Sequence, residues 1–161
     1  MLSPYLFALY IDSIVDRVRN SRFGCYIKDV CMSVLLYADD ILLVAYSVSA
    51  VENLLHICEH ELTLLDMSIN TKKSACVRIG FCFRHTCSII STADVREIRW
   101  ADCVRYLGIH IMSAKNFACS LTDAKFYYVC RCDNMVLLLH SCVLFKLLFL
   151  HCIVFLIIFP F

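Results

Sequence analysis

The stretch Val34-Leu35-Leu36-Tyr37-Ala38-Asp39-Asp40-Ile41-Leu42-Leu43-Val44 decides the fold. Two adjacent carboxylates interrupt a run that is otherwise apolar. Short apolar runs flanking a turn signal read as buried strands. Asp is disfavoured in strands and favoured in tight turns. The stretch therefore predicts a β-hairpin with Asp39 and Asp40 at its tip. Two carboxylates against a hydrophobic sheet repel each other and lose hydration. A divalent cation relieves both costs, and Mg²⁺ characteristically takes one or two carboxylates together with substrate phosphates. Asp39 and Asp40 are thus candidate metal ligands.

Upstream, Ser3 can N-cap a helix with Pro4 at its first position. Leu6, Leu9, Tyr10, Ile14 and Val18 recur at helical spacing, Asp12 and Asp16 fall on another face, and Gly24 suits a stop. Cys25–Asp29 reads as a short strand with a turn near Lys28-Asp29. Downstream, Ser49-Ala50-Val51-Glu52 has the form of a capping box. It opens a helix with Val51, Leu54, Leu55, Cys58, Leu62 and Leu65 on one stripe and Glu52, His56, Glu59 and His60 mostly off it. His56 and His60 stand four apart, a spacing that can hold a metal. The residues between them are Ile57-Cys58-Glu59, so the H-E-x-x-H pattern fails and a solvated face is expected.

Met67–Ser74 is polar, and Ala75, Val77 and Ile79 then alternate as a strand would. Phe81–Asp94 has no firm pattern. Arg96–Trp100 and Val104–Ile111 read as two more strands. Asn116–Asp133 reads as a helix, with Phe117, Leu121, Ala124, Tyr128 and Val129 as its stripe.

A chain of 161 residues can build one domain with a sizeable core. Its apolar fraction of 61% and mean hydropathy of +0.74 are high for a soluble domain. The net charge is +1, without the basic excess that usually accompanies a nucleic-acid grip. The 12 cysteines are scattered through apolar runs, lack zinc spacing and follow no secretory signal. They read as reduced thiols of an intracellular protein.

From Val136 to Phe161 the only formal charge is Lys146. Length and apolarity satisfy the transmembrane criterion of about 20 residues, and Lys146 costs about 2.5–3.5 kcal/mol on insertion scales. The tail is either an out-of-frame extension of a decayed element or a membrane anchor. The second reading makes the chain a small non-enzymatic single-pass membrane protein.

Tyr37-Ala38-Asp39-Asp40 between apolar strands resembles the catalytic hairpin, motif C, of reverse transcriptases of non-LTR (LINE-type) retrotransposons. The flanks carry the resemblance further. Ser3-Pro4-Tyr5-Leu6-Phe7-Ala8-Leu9-Tyr10-Ile11 is similar to the end of motif B, S-P-x-L-F-x-x-Y-I, without the Gln and Gly that usually precede it. Ile69-Asn70-Thr71-Lys72-Lys73-Ser74 resembles motif D, I-N-x-x-K-[ST]. Tyr106-Leu107-Gly108 resembles motif E, a hairpin beside the primer strand. The four motifs stand in the family's order over residues 3–112.

The resemblance implies an α+β polymerase palm, an antiparallel sheet packed on helices, over residues 1–112. It implies the start of a thumb over 113–135, and leaves 136–161 as an apolar helical tail. It implies Mg²⁺-dependent RNA-directed DNA polymerisation on an RNA template with a DNA primer. Asp39 and Asp40 would be the metal-holding carboxylates, and Lys73 would protonate the pyrophosphate leaving group. Ser3, Pro4, Tyr37, Ala38, Tyr106, Leu107 and Gly108 would lie beside substrate or primer. The family's third carboxylate belongs to motif A, on a strand beside the hairpin. No counterpart to it precedes Ser3. The expectation is a chain inactive by itself, whose sheet has an apolar edge for another chain or a membrane to cover.

Overall fold

Val34–Val44 does fold into two antiparallel strands, β3 (Val34–Tyr37) and β4 (Asp40–Ala45), in register from Val34↔Leu43 to Tyr37↔Asp40. The computed structural model describes residues 3–27, 30–37, 40–106, 109–120 and 153–158. Asp40 belongs to the strand and not to the turn. The two-residue connection is Ala38-Asp39, which lies outside the described residues.

Ahead of the hairpin come helix α1 (Ser3–Asn20) and a small ladder of β1 (Tyr26–Ile27) with β2 (Val30–Cys31). After it come α2 (Val48–Leu64), β5 (Ala75–Ile79), β6 (Ile90–Ser91) and β7 (Glu97–Trp100). Next are β8 (Cys103–Tyr106), β9 (Ile109–Met112) and β10 (Ala118–Ser120), and finally β11 (Ile153–Ile158). The main sheet has the order β3-β4-β11-β5-β7-β6, and β10-β9-β8 form a second sheet. The main sheet is mixed, not antiparallel as expected, because β5 and β7 run parallel.

Strand alternation sorts β4 between two cores. Ile41, Leu43 and Ala45 pack with α1 and α2, through Ile14, Val18, Leu54 and Leu62 among others. Leu42 and Val44 pack on the opposite face with Ala75, Val77, Ile79, Val104, Tyr106 and Ile111. β4 is therefore covered on both faces, and its uninterrupted Ile-Leu-Leu-Val run is what such a strand requires.

Several local expectations shift. The buried stripe of α1 is Ile11, Ile14 and Val18, whereas Leu9 and Tyr10 are exposed. Gly24 does not stop α1. The helix ends at Asn20, and Arg22 takes the left-handed conformation at φ 60°. Gly24 is required for a different reason: a β-carbon there would overlap the buried Ser33 side chain. The cap of α2 is Ser47, whose extended backbone lets its hydroxyl accept from the Ala50 N–H at 3.1 Å. Glu52 consequently completes no capping box and accepts from the Ser91 N–H at 3.3 Å.

Further along, Val104–Ile111 divides into the β8–β9 hairpin, with register Tyr106↔Ile109. Residues 118–120 form a strand against β9 where a helix was expected, and 121–133 lie outside the described residues. The expected apolar C-terminal helix is also corrected. Residues 153–158 are a strand, paired antiparallel to both β4 and β5. The run Ile-Val-Phe-Leu-Ile-Ile is rich in residues that favour a pleated, buried surface, and two flanking strands satisfy its backbone. No helix among the described residues is long and apolar enough to cross a membrane.

Candidate active site at the hairpin end of the sheet

Asp40 opens β4, two positions ahead of Leu42 on the same side of the pleat. That side faces the β8–β9 hairpin, where Leu42 packs with Val104 and Tyr106. Tyr106 is only 5% exposed. Burial first, and the nearby Asp40 carboxylate second, push its phenol well above the usual tyrosine range. The phenol thus stays protonated beside a carboxylate. The β3–β4 hairpin and the β8–β9 hairpin thus place Asp40 and Tyr106 close enough for the carboxylate to act on the phenol.

Lys73 sits at the same end of the sheet. β4 and β5 both run antiparallel to β11, so they are parallel to each other, and their N-terminal ends lie together. With β11 between them, the strands are roughly 10 Å apart, two strand spacings. The turn that delivers Lys73 explains the I-N-x-x-K-S pattern physically. Ile69 is buried as an anchor. The Asn70 carbonyl accepts from the Lys73 N–H at 3.2 Å and from the Ser74 N–H at 2.9 Å. Its side-chain oxygen accepts from Lys73 N–H at 3.2 Å, and the buried Ser74 hydroxyl donates to the Asn70 carbonyl at 2.8 Å. This closed turn leaves the Lys73 side chain exposed.

Of the other expected residues, Tyr37 ends β3 opposite Asp40. Ala38, Asp39, Leu107 and Gly108 lie outside the described residues. Ser3 and Pro4 open α1, a helix packed on the face of the sheet away from Tyr106. Among the described residues no group of three or more His, Cys, Asp or Glu could hold a metal ion. Asp40 by itself is one ligand arm, which falls short of a metal centre. His56 and His60 each have a separate partner. His56 Nε2 bonds the Ser91 carbonyl at 3.1 Å, and His60 Nδ1 bonds Glu61 at 3.2 Å.

Two features escaped the sequence reading. Glu61 is buried on the apolar stripe of α2 and forms an ion pair with Arg17 Nε of α1 at 3.3 Å, tying the helices together. Its signal was a charge three residues from Cys58, on the stripe itself. The face carrying Glu52, His56 and Glu59 is not simply solvated. It holds residues 91–93, with Glu59 accepting from the Ala93 N–H at 2.7 Å. A cavity of about 470 Å³, lined by Arg78, Arg84, His85 and Trp100 among others, lies toward the C-terminal end of β5, away from Lys73.

The hairpin, the Asn70–Ser74 turn and the Tyr106 hairpin all fall within a match to the family described as reverse transcriptase (RNA-dependent DNA polymerase), which spans residues 1–111. The chain belongs to this family. No curated protein and no solved structure matches it. Reverse transcriptases generally use divalent metal ions and act on an RNA template with a DNA primer. In this reverse transcriptase chain the matched segment contains Asp40, Lys73 and Tyr106 and stops within β9, while β11 lies beyond it.

Proposed function

We propose that the chain is the palm portion of a non-LTR reverse transcriptase, organised for Mg²⁺-dependent nucleotidyl transfer and inactive by itself. The carrying observation is the Tyr37↔Asp40 hairpin end, with Tyr106 against Asp40 and Lys73 at the same edge. In this reading Asp39 and Asp40 would be two of the carboxylates that hold a divalent cation, a set still short of a full metal centre, and the cation would supply charge stabilisation to phosphoryl oxygens. The exposed Lys73 ammonium donates a proton toward the leaving pyrophosphate. Tyr106 holds the face of Asp40 dry and presents the primer side. Ser3, Pro4, Ala38, Leu107 and Gly108 flank the substrates.

Inactivity is supported by the strand beside β4. Phosphoryl transfer depends almost wholly on positioning and charge stabilisation. The family's motif A carboxylate stands on a strand next to the hairpin. Here that place is filled by Ile-Val-Phe-Leu-Ile-Ile, which carries no acid. Primer extension by the purified chain on poly(rA) with an oligo(dT) primer and Mg²⁺ tests this. The expected result is no product above the Asp39→Ala control. Extension that Asp39→Ala abolishes would overturn the inactivity.

A further inference from the structure

We propose that the slot between β4 and β5 is a strand-binding site for an extended, wholly apolar segment, and that Ile153–Ile158 is its built-in occupant. β4 and β5 make no ladder with each other; β11 is the strand between them. It matches Val154–Ile158 to Ala45–Ile41 on one side and Ile153–Ile157 to Ile79–Ala75 on the other. On its far side β5 pairs with β7 only at Ala75 and Cys76. Without β11, two facing edges would each offer a row of unpaired N–H and C=O groups, the template on which extended chains add.

The chemistry of the occupant follows from the walls. The rims of the slot, Leu43 and Cys76 toward the helices and Val44 and Val77 toward the second sheet, are buried on both faces. A strand with alternating polar residues would bury one polar row there, which is costly. A strand of consecutive apolar residues fits, and 153–158 is one.

The built-in occupant is also separable from the rest of the sheet. β3 reaches β4 through two residues, whereas residues 121–152 intervene between β10 and β11. Closure entropy grows only slowly with such a length. β11 therefore behaves as a tethered ligand at finite effective concentration, open to competition by a free strand of the same chemistry. The proposal does not depend on the polymerase reading, since it concerns the sheet alone.

Two measurements on the full chain test it. Leu156 lies opposite Cys76. After mild oxidation of Leu156→Cys, peptide mapping by mass spectrometry should find a disulfide to Cys76, at least five-fold more abundant than in Phe155→Cys, where the strand alternation is reversed. Equal yields would overturn the register. In a mixture of ¹⁴N- and ¹⁵N-labelled copies the link should join residues of one isotope; mixed-isotope links would mean that a second copy supplies the strand and would overturn the built-in occupant. The second measurement uses a fluorescent peptide, Ile-Val-Phe-Leu-Ile-Ile flanked by lysines. It should bind Leu156→Pro at least ten-fold more tightly than the unmodified chain, because proline removes the resident strand from the ladder. Equal affinity for both would refute an exchangeable occupant, and the disulfide result stands independently if Leu156→Pro does not fold.

Discussion

β4 has two neighbours of opposite kinds. β3 is joined to it by two residues and forms the edge of the sheet; β11 reaches it from the far end of the chain and makes the sheet continuous with β5. Both pairings are antiparallel and of similar length. They differ in the sequence distance that must be closed. A two-residue hairpin carries its own turn signal and apolar flanks, so it is a local object. The β4–β11 pairing has no local signal at all, and its existence depends on the slot that β5 completes.

The largest expected effect tests whether β4 is the central member of this trio. Leu43 is fully buried toward the helices, while Leu36 on β3 is only partly buried against the same core. Leu43→Ala should cost about 2–5 kcal/mol, the range for truncating a buried leucine. Leu36→Ala should cost clearly less in the same urea titration. Equal losses would show that β3 is as enclosed as β4 and would erase the contrast between edge and centre.

That contrast also sets what could be read from sequence. The hairpin was legible because strand and turn preferences agree within eleven residues. The Asn70–Ser74 turn and β5 were legible because a buried Ile, a turn-forming Asn and an alternating strand follow one another. Residues 153–158 read as part of an apolar helical tail, an out-of-frame extension or a membrane anchor, because an apolar run has the same composition in a buried strand and in a membrane helix. Only the unfilled edges of β4 and β5 distinguish them, and edges are not local. At the site the pattern is the same. Asp40 and Lys73 were expected from local sequence, but the nearness of Asp40 to Tyr106 depends on the second sheet packing across the first. Glu61 was hidden by its place on an apolar stripe, and its partner Arg17 is on another helix.

A second expected effect concerns the local support of β3. Ser33 immediately precedes β3, and its carbonyl accepts from the Val44 N–H at 2.8 Å, extending the hairpin ladder. Its side chain is packed against Gly24. Gly24→Ala should destabilise the chain by about 1–3 kcal/mol through overpacking. Ser33→Gly in the same chain should recover much of that loss in a double-mutant cycle. Failure to recover would mean that the Gly24 backbone, and not the contact with Ser33, sets the cost.

The buried thiols give a smaller effect that separates the two sides. Burial, with a contribution from Cys31, pushes the Cys25 thiol up to about 11 from an ordinary value of 9.0. Burial, helped by Glu61, pushes Cys58 up to about 12. Above pH 9.0 the unfolded chain releases these protons while the folded chain holds them. Stability should therefore be fully present below that pH and fall as pH rises toward about 12, by up to ~1.4 kcal/mol per unit for Cys58. Denaturant midpoints measured from pH 8 to pH 11 check the sign. Cys76, on β5 opposite Leu156, is shielded from the β11 side. In pulsed alkylation, Cys82 and Cys103, which are exposed, should react before the buried Cys25, Cys58 and Cys76. Leu156→Pro should then speed Cys76 far more than Cys25, and equal acceleration would deny β11 its separate status.

The smallest effect lies just beyond the hairpin, where α2 leaves β4. Ser47 and Ser49 both precede the apolar stripe, and Ser49 carries the better sequence pattern, with Glu52 three residues on. The chain caps at Ser47 instead because β4 stays paired through Ala45 and the backbone at Ser47 is still extended, at φ −147° and ψ 160°. The pairing that fixes Ala45 is Val154↔Ala45, made by β11, so the distant neighbour helps decide where a local helix begins. Ser47→Ala should cost about 1 kcal/mol, the usual loss of a helix cap, and Ser49→Ala should cost a few tenths at most. In the background of Leu156→Pro, where Ala45 loses its partner, the cap is free to move toward Ser49 and the two costs should converge. If they stay as far apart as in the unmodified chain, the start of α2 is set by the hairpin alone and β11 has no reach beyond the sheet.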